Sequence, residues 1–337
     1  MRSVSTLDLP GTCAIEFLAQ GAFNKVYIVR SLEVEVVVRV TLPVDPAWKT
    51  LSEVATLKWV RENTSLPVPE VLAYRADRSS TIGFEWIIMN KIPGKPLAEV
   101  WGDISFSAKE TIVRQLALFC SNTFQKQMHG IGNLFPRQTL KTPCVKLASA
   151  SHLQYPCPFH VQKIVSAAFI WDNRIHQDVF RGPFTSSKDW LFARLMLVDN
   201  DYRSRLNRIQ NITNSDDEEE EEEYEVEELE HIMDIILRLK SRLDEFFPTK
   251  NSQPEPSMIF HDDLSRSNIL VDQDGVLTAV VDWECVSALP LWFACQFPPL
   301  LQGKLLDKEP IESKYQHDVN GEFCGLARED RQRITVE

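Results

Sequence analysis

Two short stretches in the last third of the chain carry residues that could act on a phosphate group. His261, Asp263 and Asn268 fit the pattern H-x-D-x-x-x-x-N, and Asp282 ends the apolar segment 277–281. Phosphoryl transfer needs a carboxylate that faces the attacking hydroxyl and oxygen ligands that hold Mg²⁺ against the phosphates. The order and spacing predict Asp263 for the first role, and Asn268 with Asp282 for the second.

The apolar segments that follow Asn268 and precede Asp282 are expected to pair as a β-hairpin. Residues 272–275 between them read Asp-Gln-Asp-Gly, which contains the Asp-Gly signal of a tight turn. Such a hairpin would bring Asn268 and Asp282 to the same end. The alternative is a solvated hairpin with acidic ends, which does not explain why three polar groups gather beside His261.

The negative charge of the chain is concentrated in one segment. The 337 residues include 48 acidic and 36 basic side chains, a formal net charge of −12. Residues 216–230 hold twelve of the acidic residues and no basic one. The rest of the chain therefore has 36 acidic and 36 basic residues, which balance in charge. This balance argues against a general nucleic-acid-binding protein.

Cysteine usage and the absence of membrane signals predict a cytoplasmic protein. The seven cysteines are scattered without a C-x-x-C pair, as is typical of reduced thiols. The first residues lack the apolar core of a secretory signal, and no apolar run of about 18 residues occurs. We therefore expect no membrane partner.

Apolar periodicity divides the chain into a β-rich amino-terminal part and a mainly helical remainder. Alternation and β-branched residues predict strands, whereas three- and four-residue spacing predicts helices. The predicted strands cover residues 13–18, 25–30, 35–42 and 84–89, and the predicted helices cover 50–60, 108–127, 187–209 and a long segment ending near 247. Residues 93–96, Pro-Gly-Lys-Pro, separate the two parts as a linker.

Several motifs together resemble the aminoglycoside phosphotransferase-like family of the protein-kinase-like superfamily, especially its fungal-type members. The resemblance extends over roughly residues 14–300. The matching motifs are Asn24-Lys25-Val26-Tyr27 after a glycine turn, Val38-Arg39-Val40, Glu53, Pro67-Val68-Pro69, and the segments 89–94, 181–184, 189–191, 261–264 and 282–284.

The resemblance implies an α+β, bilobal protein-kinase-like fold with ATP in the cleft. Residues 1–95 would form a small nucleotide-binding lobe, a sheet with one helix. Residues 96–337 would form a larger, mainly helical lobe with an acidic insert near 211–230. The implied activity is an ATP- and Mg²⁺-dependent phosphotransferase, with Asp263 as base and a small hydroxyl- or amine-bearing metabolite as acceptor.

The resemblance also implies which residues of the small lobe contact the nucleotide. They are Gly21, Asn24, Arg39, Glu53, Met89 and Lys91. The superfamily usually has lysine where this chain has Arg39, and the planar guanidinium holds phosphate in a different geometry. Gly21 as an ordinary hairpin glycine and Glu53 as a solvated helix residue are the alternatives, but an Arg39–Glu53 pair is the hypothesis we favour.

His261 and Asp262 are expected to support the catalytic loop without acting on the substrate. His261 would orient the loop. Adjacent residues of an extended segment point to opposite sides, so Asp262 would face away from Asp263.

The acidic run beginning at Asp216 is expected to be a solvated, frayed lead-in to a docked helix. The predicted apolar face of that helix comprises Ile232, Ile235, Ile236, Leu239, Leu243 and Phe246. The alternative is that the run binds a basic partner or a cationic substrate.

A second function stays open beside the phosphotransferase. Only 55 of the 337 residues follow Asp282, where family members generally continue with helices that wall the acceptor pocket. This short carboxy-terminal segment, together with arginine at position 39 in place of the usual lysine, supports a second reading: a kinase-like nucleotide-binding or interaction protein with little or no turnover. A metal-dependent hydrolase is disfavoured because the chain has neither H-E-x-x-H nor G-x-S-x-G.

Overall fold

The structure is a computed structural model that confirms the predicted fold class. It describes residues 12–32, 34–137, 145–146, 159–212, 219–248, 253–302, 315–317 and 323–326. Its strands are β1 (Ala14–Gln20), β2 (Asn24–Arg30), β3 (Glu35–Thr41), β4 (Val71–Arg75), β5 (Glu85–Asn90), β6 (Lys95–Pro96), β7 (Met128–His129), β8 (Asn133–Pro136), β9 (Val145–Lys146), β10 (Phe159–Gln162), β11 (Pro256–Phe260), β12 (Ile269–Val271), β13 (Leu277–Val280), β14 (Ser287–Pro290), β15 (Tyr315–His317) and β16 (Phe323–Leu326). Its helices are α1 (Trp48–Asn63), α2 (Leu97–Val100), α3 (Phe106–Gln125), α4 (Ala167–Ile170), α5 (Ser187–Ile212), α6 (Glu219–Phe246) and α7 (Leu291–Ala294), with 3₁₀ turns at Asp172–His176, Arg266–Asn268 and Pro299–Leu301.

The amino-terminal sheet is antiparallel in the order β1-β2-β3-β5-β4-β9, with β3 near its centre. Each of the four predicted strands is present, with ends that differ by one or two residues. The β-branched residues of β3 explain its central place, because Val36 and Val38 are buried between β2 and β5. Strand β4 was not predicted, since five residues after a proline-rich stretch carry too little alternation.

One apolar core extends from the amino-terminal sheet into the rest of the chain. It contains Val54 and Leu57 of α1, Leu116 of α3, and Ile269 and Val280 of the hairpin. Strand β6, directly after the expected lobe boundary, pairs with β12. The boundary near residue 95 therefore stays a prediction, and apolar packing continues across it.

The segments β12 and β13 pair as the predicted hairpin, with the Asp-Gly turn between them. Ile269 lies opposite Val280, and the Asp272 side chain accepts hydrogen bonds from the amides of Asp274 and Val276, each at 2.9 Å. Gly275 has a φ of +79°, a left-handed conformation that glycine adopts at little cost. The sequence of the turn thus fixes which residues face one another at the open end.

The remainder of the chain holds more strands than the sequence predicted. Strand β11, which leads into the H-x-D motif, lies between β14 and β7 in a three-stranded sheet. A second apolar core under this sheet includes Phe169, Trp190, Met258 and Leu289. Strands of two to five residues show too little periodicity to be recognised, which explains why the prediction emphasised helices.

The acidic helix differs from its predicted form in two ways. The backbone is helical from Glu219, so this part of the run belongs to α6 and is not a frayed lead-in; residues 213–218 lie outside the described part of the chain. Glutamate is a good helix former, and negative charge is favoured near a helix amino terminus. Glu225 also pairs with Arg205 of α5, at 2.7 Å between Nε and Oε1.

The apolar face of α6 is narrower than predicted. Leu229, Ile236 and Leu243 are buried at seven-residue intervals, whereas Leu239 and Phe246 are exposed. The reason is that α6 packs mainly on one neighbour, α5, and a helix pair covers only a narrow seam. Among the described helices, none has the length and apolar character needed to cross a membrane.

Leu243→Ala should destabilise the protein because it removes a buried side chain from the α5–α6 seam. Core truncations of this type cost roughly 2–5 kcal/mol. Leu237→Ala is the matched control, since Leu237 is an exposed leucine of the same helix and should change stability by about 0.5 kcal/mol or less. Urea denaturation measures the free energy of unfolding of both variants. Equal losses of stability would contradict the burial of Leu243 between α5 and α6.

Candidate active site

A cluster of charged side chains forms where β3 and α1 meet the segment after β13. Arg39 of β3 donates from Nη1 to Glu53 Oε1 at 2.7 Å and from Nη2 to Asp282 Oδ1 at 2.6 Å. Its Nη2 also lies 3.1 Å from Glu284 Oε2. The expected contact between Arg39 and Glu53 is therefore present, and its functional role stays a prediction.

Two members of this cluster, Lys49 and Glu284, were not predicted from the sequence. The buried Lys49 ammonium pairs with the Glu284 carboxylate and donates to Asn24 Oδ1 at 3.1 Å. Asn24 in turn donates to Glu284 and accepts from the Thr41 hydroxyl at 2.9 Å. One signal was available: Lys49 is the second residue of α1, where the helix dipole disfavours a cation unless a carboxylate lies nearby.

The segment 282–284 enters the cluster because its side chains alternate. Asp282 and Glu284 point towards Arg39, whereas the intervening Trp283 is buried in the apolar core and donates from Nε1 to the Val280 carbonyl at 2.9 Å. Asp282 has a φ of +64°, a left-handed conformation that aspartate tolerates better than most residues. Trp283 thus anchors the two carboxylates that flank it.

The charges of the cluster leave one carboxylate in excess. Arg39 and Lys49 face three carboxylates. Burial opposes the charged form of Arg39, but Glu53, Glu284 and Asp282 outweigh it and raise the pKa of the guanidinium. Burial likewise opposes the ionised form of Glu284, but Arg39 and Lys49 outweigh it and lower the pKa of this carboxyl.

Asp282 is the member of the cluster that a ligand can reach. Its side chain is 36 % exposed, whereas that of Arg39 is 9 % exposed and that of Glu53 is 1 % exposed. A ligand therefore reaches the cluster through the Asp282 carboxylate.

The H-x-D loop brings Asp263 and Asn268 together. Asn268 Nδ2 donates to the Asp263 carboxylate at 2.7 Å and to the Asp263 carbonyl at 3.0 Å. The amide of Val281 donates to the Asn268 carbonyl at 2.9 Å, which holds Asn268 beside Asp282 at the open end of the hairpin. Asp263, Asn268 and Asp282 thus lie at one end of the β12–β13 hairpin.

His261 supports this loop from beneath, as expected. The ring is buried, its Nε2 lies 3.3 Å from the Val281 carbonyl, and its Nδ1 accepts from the Asp263 amide at 3.3 Å. These contacts fit a neutral ring protonated on Nε2, and burial lowers the pKa of His261. Its edge-to-face contact with Trp283, at 4.8 Å between ring centroids, links the loop to segment 282–284.

Asn268 and Asp282 offer oxygen donors that suit Mg²⁺. The Oδ1 atom of Asp282 accepts from Arg39, and its other oxygen has no hydrogen-bond partner among the described residues. No group of three or more His, Cys, Asp or Glu side chains able to hold a metal occurs in the described ranges. One carboxylate and one amide are enough for Mg²⁺, which takes its other oxygen ligands from phosphates and water.

Three of the predicted nucleotide-binding residues do not join the cluster. Gly21 forms the β1–β2 turn, where its amide donates to the Asn24 carbonyl at 3.0 Å. Met89 is buried in the main apolar core. Lys91 pairs with Glu35, with 2.9 Å between Nζ and Oε2. Their contacts with a nucleotide stay predictions.

A cavity of about 260 Å³ lies on the other side of the H-x-D loop. Asp262 lines it, as does Cys285, so that Asp262 faces this cavity while the adjacent Asp263 bonds to Asn268. Burial raises the pKa of the Cys285 thiol to about 12. The walls of the cavity include Trp190, Arg194, Phe260, Ser287, Leu289 and Phe293.

The sequence also matches a described protein family. The model of the family "Phosphotransferase enzyme family" matches residues 14–293, which include every member of the charged cluster and of the H-x-D loop. The chain belongs to this phosphotransferase family.

Similar curated proteins come from fungi and share only a part of their length with the chain. A subtelomeric hrmA-associated cluster protein of Aspergillus fumigatus is 35 % identical over 126 residues, 36 % of this chain and 25 % of that protein. The mitochondrial protein "Altered inheritance of mitochondria protein 9" of Meyerozyma guilliermondii is 27 % identical over 129 residues, 36 % of this chain and 21 % of that protein. The chain thus spans about a quarter of the length of these relatives.

Some solved phosphotransferase structures have a similar backbone path. A thermostable mutant of aminoglycoside phosphotransferase APH(4)-Ia, in complex with ADP and hygromycin B, has a TM-score of 0.46 and 14 % identity, and the match covers 86 % of this chain and 73 % of that one. A microcompartment-associated aminopropanol kinase has a TM-score of 0.37 and 15 % identity, with 85 % and 70 % covered. This similarity is too distant to indicate a substrate.

Glu284→Gln should destabilise the protein because it leaves the buried Lys49 without a carboxylate at ion-pair distance among the described residues. Loss of one partner from a buried ion pair costs roughly 3–5 kcal/mol. Glu62→Gln is the control, since Glu62 forms an exposed pair with Lys58 at 3.9 Å that should contribute about 0–1 kcal/mol. Chemical denaturation measures both variants, and a loss for Glu284→Gln no larger than that for Glu62→Gln would contradict the cluster's structural importance.

Proposed function

We propose that this phosphotransferase uses ATP and Mg²⁺ to phosphorylate a small molecule that bears a hydroxyl or an amine. The observation that carries the proposal is the meeting of Asp263, Asn268 and Asp282 at one end of the β12–β13 hairpin. These are the residue types that phosphoryl transfer needs for orienting the nucleophile and holding the metal.

Asp263 would act on the acceptor. Its carboxylate would accept the proton of the attacking hydroxyl, and the hydrogen bond from Asn268 Nδ2 would fix its direction. His261 would keep the loop in place, because its neutral ring bonds to the Asp263 amide and lies near the Val281 carbonyl.

Asn268 and Asp282 would hold Mg²⁺ through their side-chain oxygens. When bound, the ion supplies positive charge against the phosphates of ATP. The rigid neighbours of Asp282 matter here, because Trp283 anchors the segment and Arg39 fixes one carboxylate oxygen. Positioning of this kind is the main contribution a protein makes to phosphoryl transfer.

Arg39 is the proposed cation of the nucleotide site. Glu53 holds one end of its guanidinium, so that the group is oriented before a phosphate arrives. Asn24 belongs to the same network, and Gly21, Met89 and Lys91 complete the proposed nucleotide contacts on the amino-terminal sheet and its edge.

A second candidate function is a nucleotide-binding protein with little or no turnover. The contact of 2.6 Å between Arg39 and Asp282 favours it, because a guanidinium on the metal-binding carboxylate competes with Mg²⁺. ATP binding without acceptor-dependent turnover, equal in the wild type and in Asp263→Asn, is the outcome expected of this candidate.

Asp282→Ala should remove the dependence of ATP binding on Mg²⁺. In the wild type we expect Mg²⁺ to strengthen ATP binding, because Asp282 and Asn268 would hold the ion and its positive charge would attract the phosphates. Asp274→Ala is the control, since Asp274 lies in the hairpin turn at the far end and should bind as the wild type does. Calorimetric titration of ATP with Mg²⁺ and with EDTA measures the effect. Equal wild-type affinity in both solutions would reject the metal assignment.

Asp263→Asn should lower turnover while ATP affinity stays close to that of the wild type. Loss of a general base typically reduces the rate by roughly 10²–10⁴-fold, whereas the phosphates contact other residues. Steady-state kinetics on any accepted compound gives kcat, and calorimetry gives the affinity for ATP. Unchanged kcat would show that Asp263 is not the base.

A further inference from the structure

The cavity beside the H-x-D loop contains a guanidinium without a counter-ion. Arg194 of α5 lines the cavity and stacks over the Trp190 ring, with 5.0 Å between the guanidinium carbon and the ring centroid. Within the described ranges, Arg194 has no carboxylate at ion-pair distance, and the charge that acts on it comes from Arg174, which carries the same sign. Arginine stays protonated in proteins, so this positive charge persists in the half-buried cavity wall.

A second unsatisfied donor lies on the same wall. Trp190 is buried, and its indole N–H has no acceptor in the described part of the chain. Trp190 and Arg194 are four residues apart on α5, so their side chains lie on one face of the helix. Buried donors in folded proteins nearly always have partners, which indicates that a ligand supplies the missing acceptors.

We propose that the α5 side of this cavity binds the carboxylate of a small organic acid. This site is separate from the proposed catalytic end of the hairpin, because Asp262 lines the cavity whereas Asp263 bonds to Asn268. A planar guanidinium suits a carboxylate because two of its N–H groups can donate in parallel. A single cation also matches the single charge of a carboxylate better than the double charge of a phosphate.

Asp262 makes the two ends of the cavity different in charge. Its carboxylate lines the cavity at the H-x-D loop, and it repels a second negative charge at that end. The anionic end of the ligand therefore lies towards Arg194, and its uncharged or cationic end lies towards Asp262. The serine and glutamine side chains of the lining, Ser166, Ser287 and Gln296, offer further hydrogen bonds between the two ends.

The size and the apolar walls of the cavity agree with a small ligand. Its volume of about 260 Å³ lies below the roughly 300–1,000 Å³ typical of sites for drug-sized ligands. Phe260, Leu289 and Phe293 exclude water from part of the wall, which strengthens the attraction between a guanidinium and an anion.

Two matched pairs of probes test the inference by binding to the full chain. L-serine differs from ethanolamine by a carboxylate, and glycerate differs from ethylene glycol in the same respect. We expect the carboxylate member of at least one pair to bind roughly 10- to 100-fold more tightly in the wild type, as hydrogen bonds to charged groups do. Calorimetric titration measures this ratio without requiring turnover.

Substitutions at Arg194 show whether this residue causes the preference. Arg194→Gln should abolish it, and Arg194→Lys should keep a part of it because the charge remains. Arg208→Gln is the control, since Arg208 lies on the exposed side of α5 and bonds only to the Ser204 carbonyl among the described residues. Thermal denaturation shows that each variant is folded.

The outcomes separate this inference from the proposed function. No preference for the carboxylate member in either pair, or a preference that survives Arg194→Gln, would overturn the inference even if ATP is consumed with an acceptor. An Arg194-dependent preference would support the carboxylate site whether or not ATP is consumed.

Discussion

The guanidinium of Arg39 joins three parts of the chain that are distant in sequence: the central strand of the amino-terminal sheet, helix α1, and the segment after β13. It does so by contacting Glu53, Asp282 and Glu284 within about 3 Å. Charges removed from water are stable only when their partners keep good geometry. The cluster therefore constrains how the sheet, the helix and the hairpin fit together, and it places Asp282 at the exposed edge of that contact.

The rest of the site follows from this constraint and from one anchored tryptophan. With Trp283 buried in the apolar core and Asp282 in a left-handed conformation, Asp282 contacts Arg39, and Glu284 contacts both Arg39 and Lys49. The same tryptophan contacts His261, which supports the loop that carries Asp263. Apolar packing and the charged cluster thus act on the same few residues, and a change in either should disturb the other.

The sequence predicted what is encoded locally. The hairpin could be predicted because an Asp-Gly turn and two apolar runs suffice to define it. The sheet could be predicted because β-branched residues dominate β3. The family resemblance gave the fold, whereas the spacing of the H-x-D-x-x-x-x-N motif and the hairpin after it gave Asp263, Asn268 and Asp282 as candidate site residues. Long-range pairing could not be predicted, because nothing in the sequence near Lys49 shows that its partner is Glu284, 235 positions further on. The exposed half of the predicted face of α6 was missed for the same reason, since periodicity does not tell how many neighbours a helix has.

Acceptor-dependent release of ADP tests the central claim most directly. The purified chain is incubated with ATP and Mg²⁺ against a panel of amino alcohols, sugars, amino acids and aminoglycosides, with a no-acceptor baseline and a parallel series in EDTA. The account predicts that at least one compound raises ADP release above the baseline, only with Mg²⁺, and gains the mass of one phosphoryl group. ADP release that no compound raises above the baseline, in a protein that binds ATP, would contradict it.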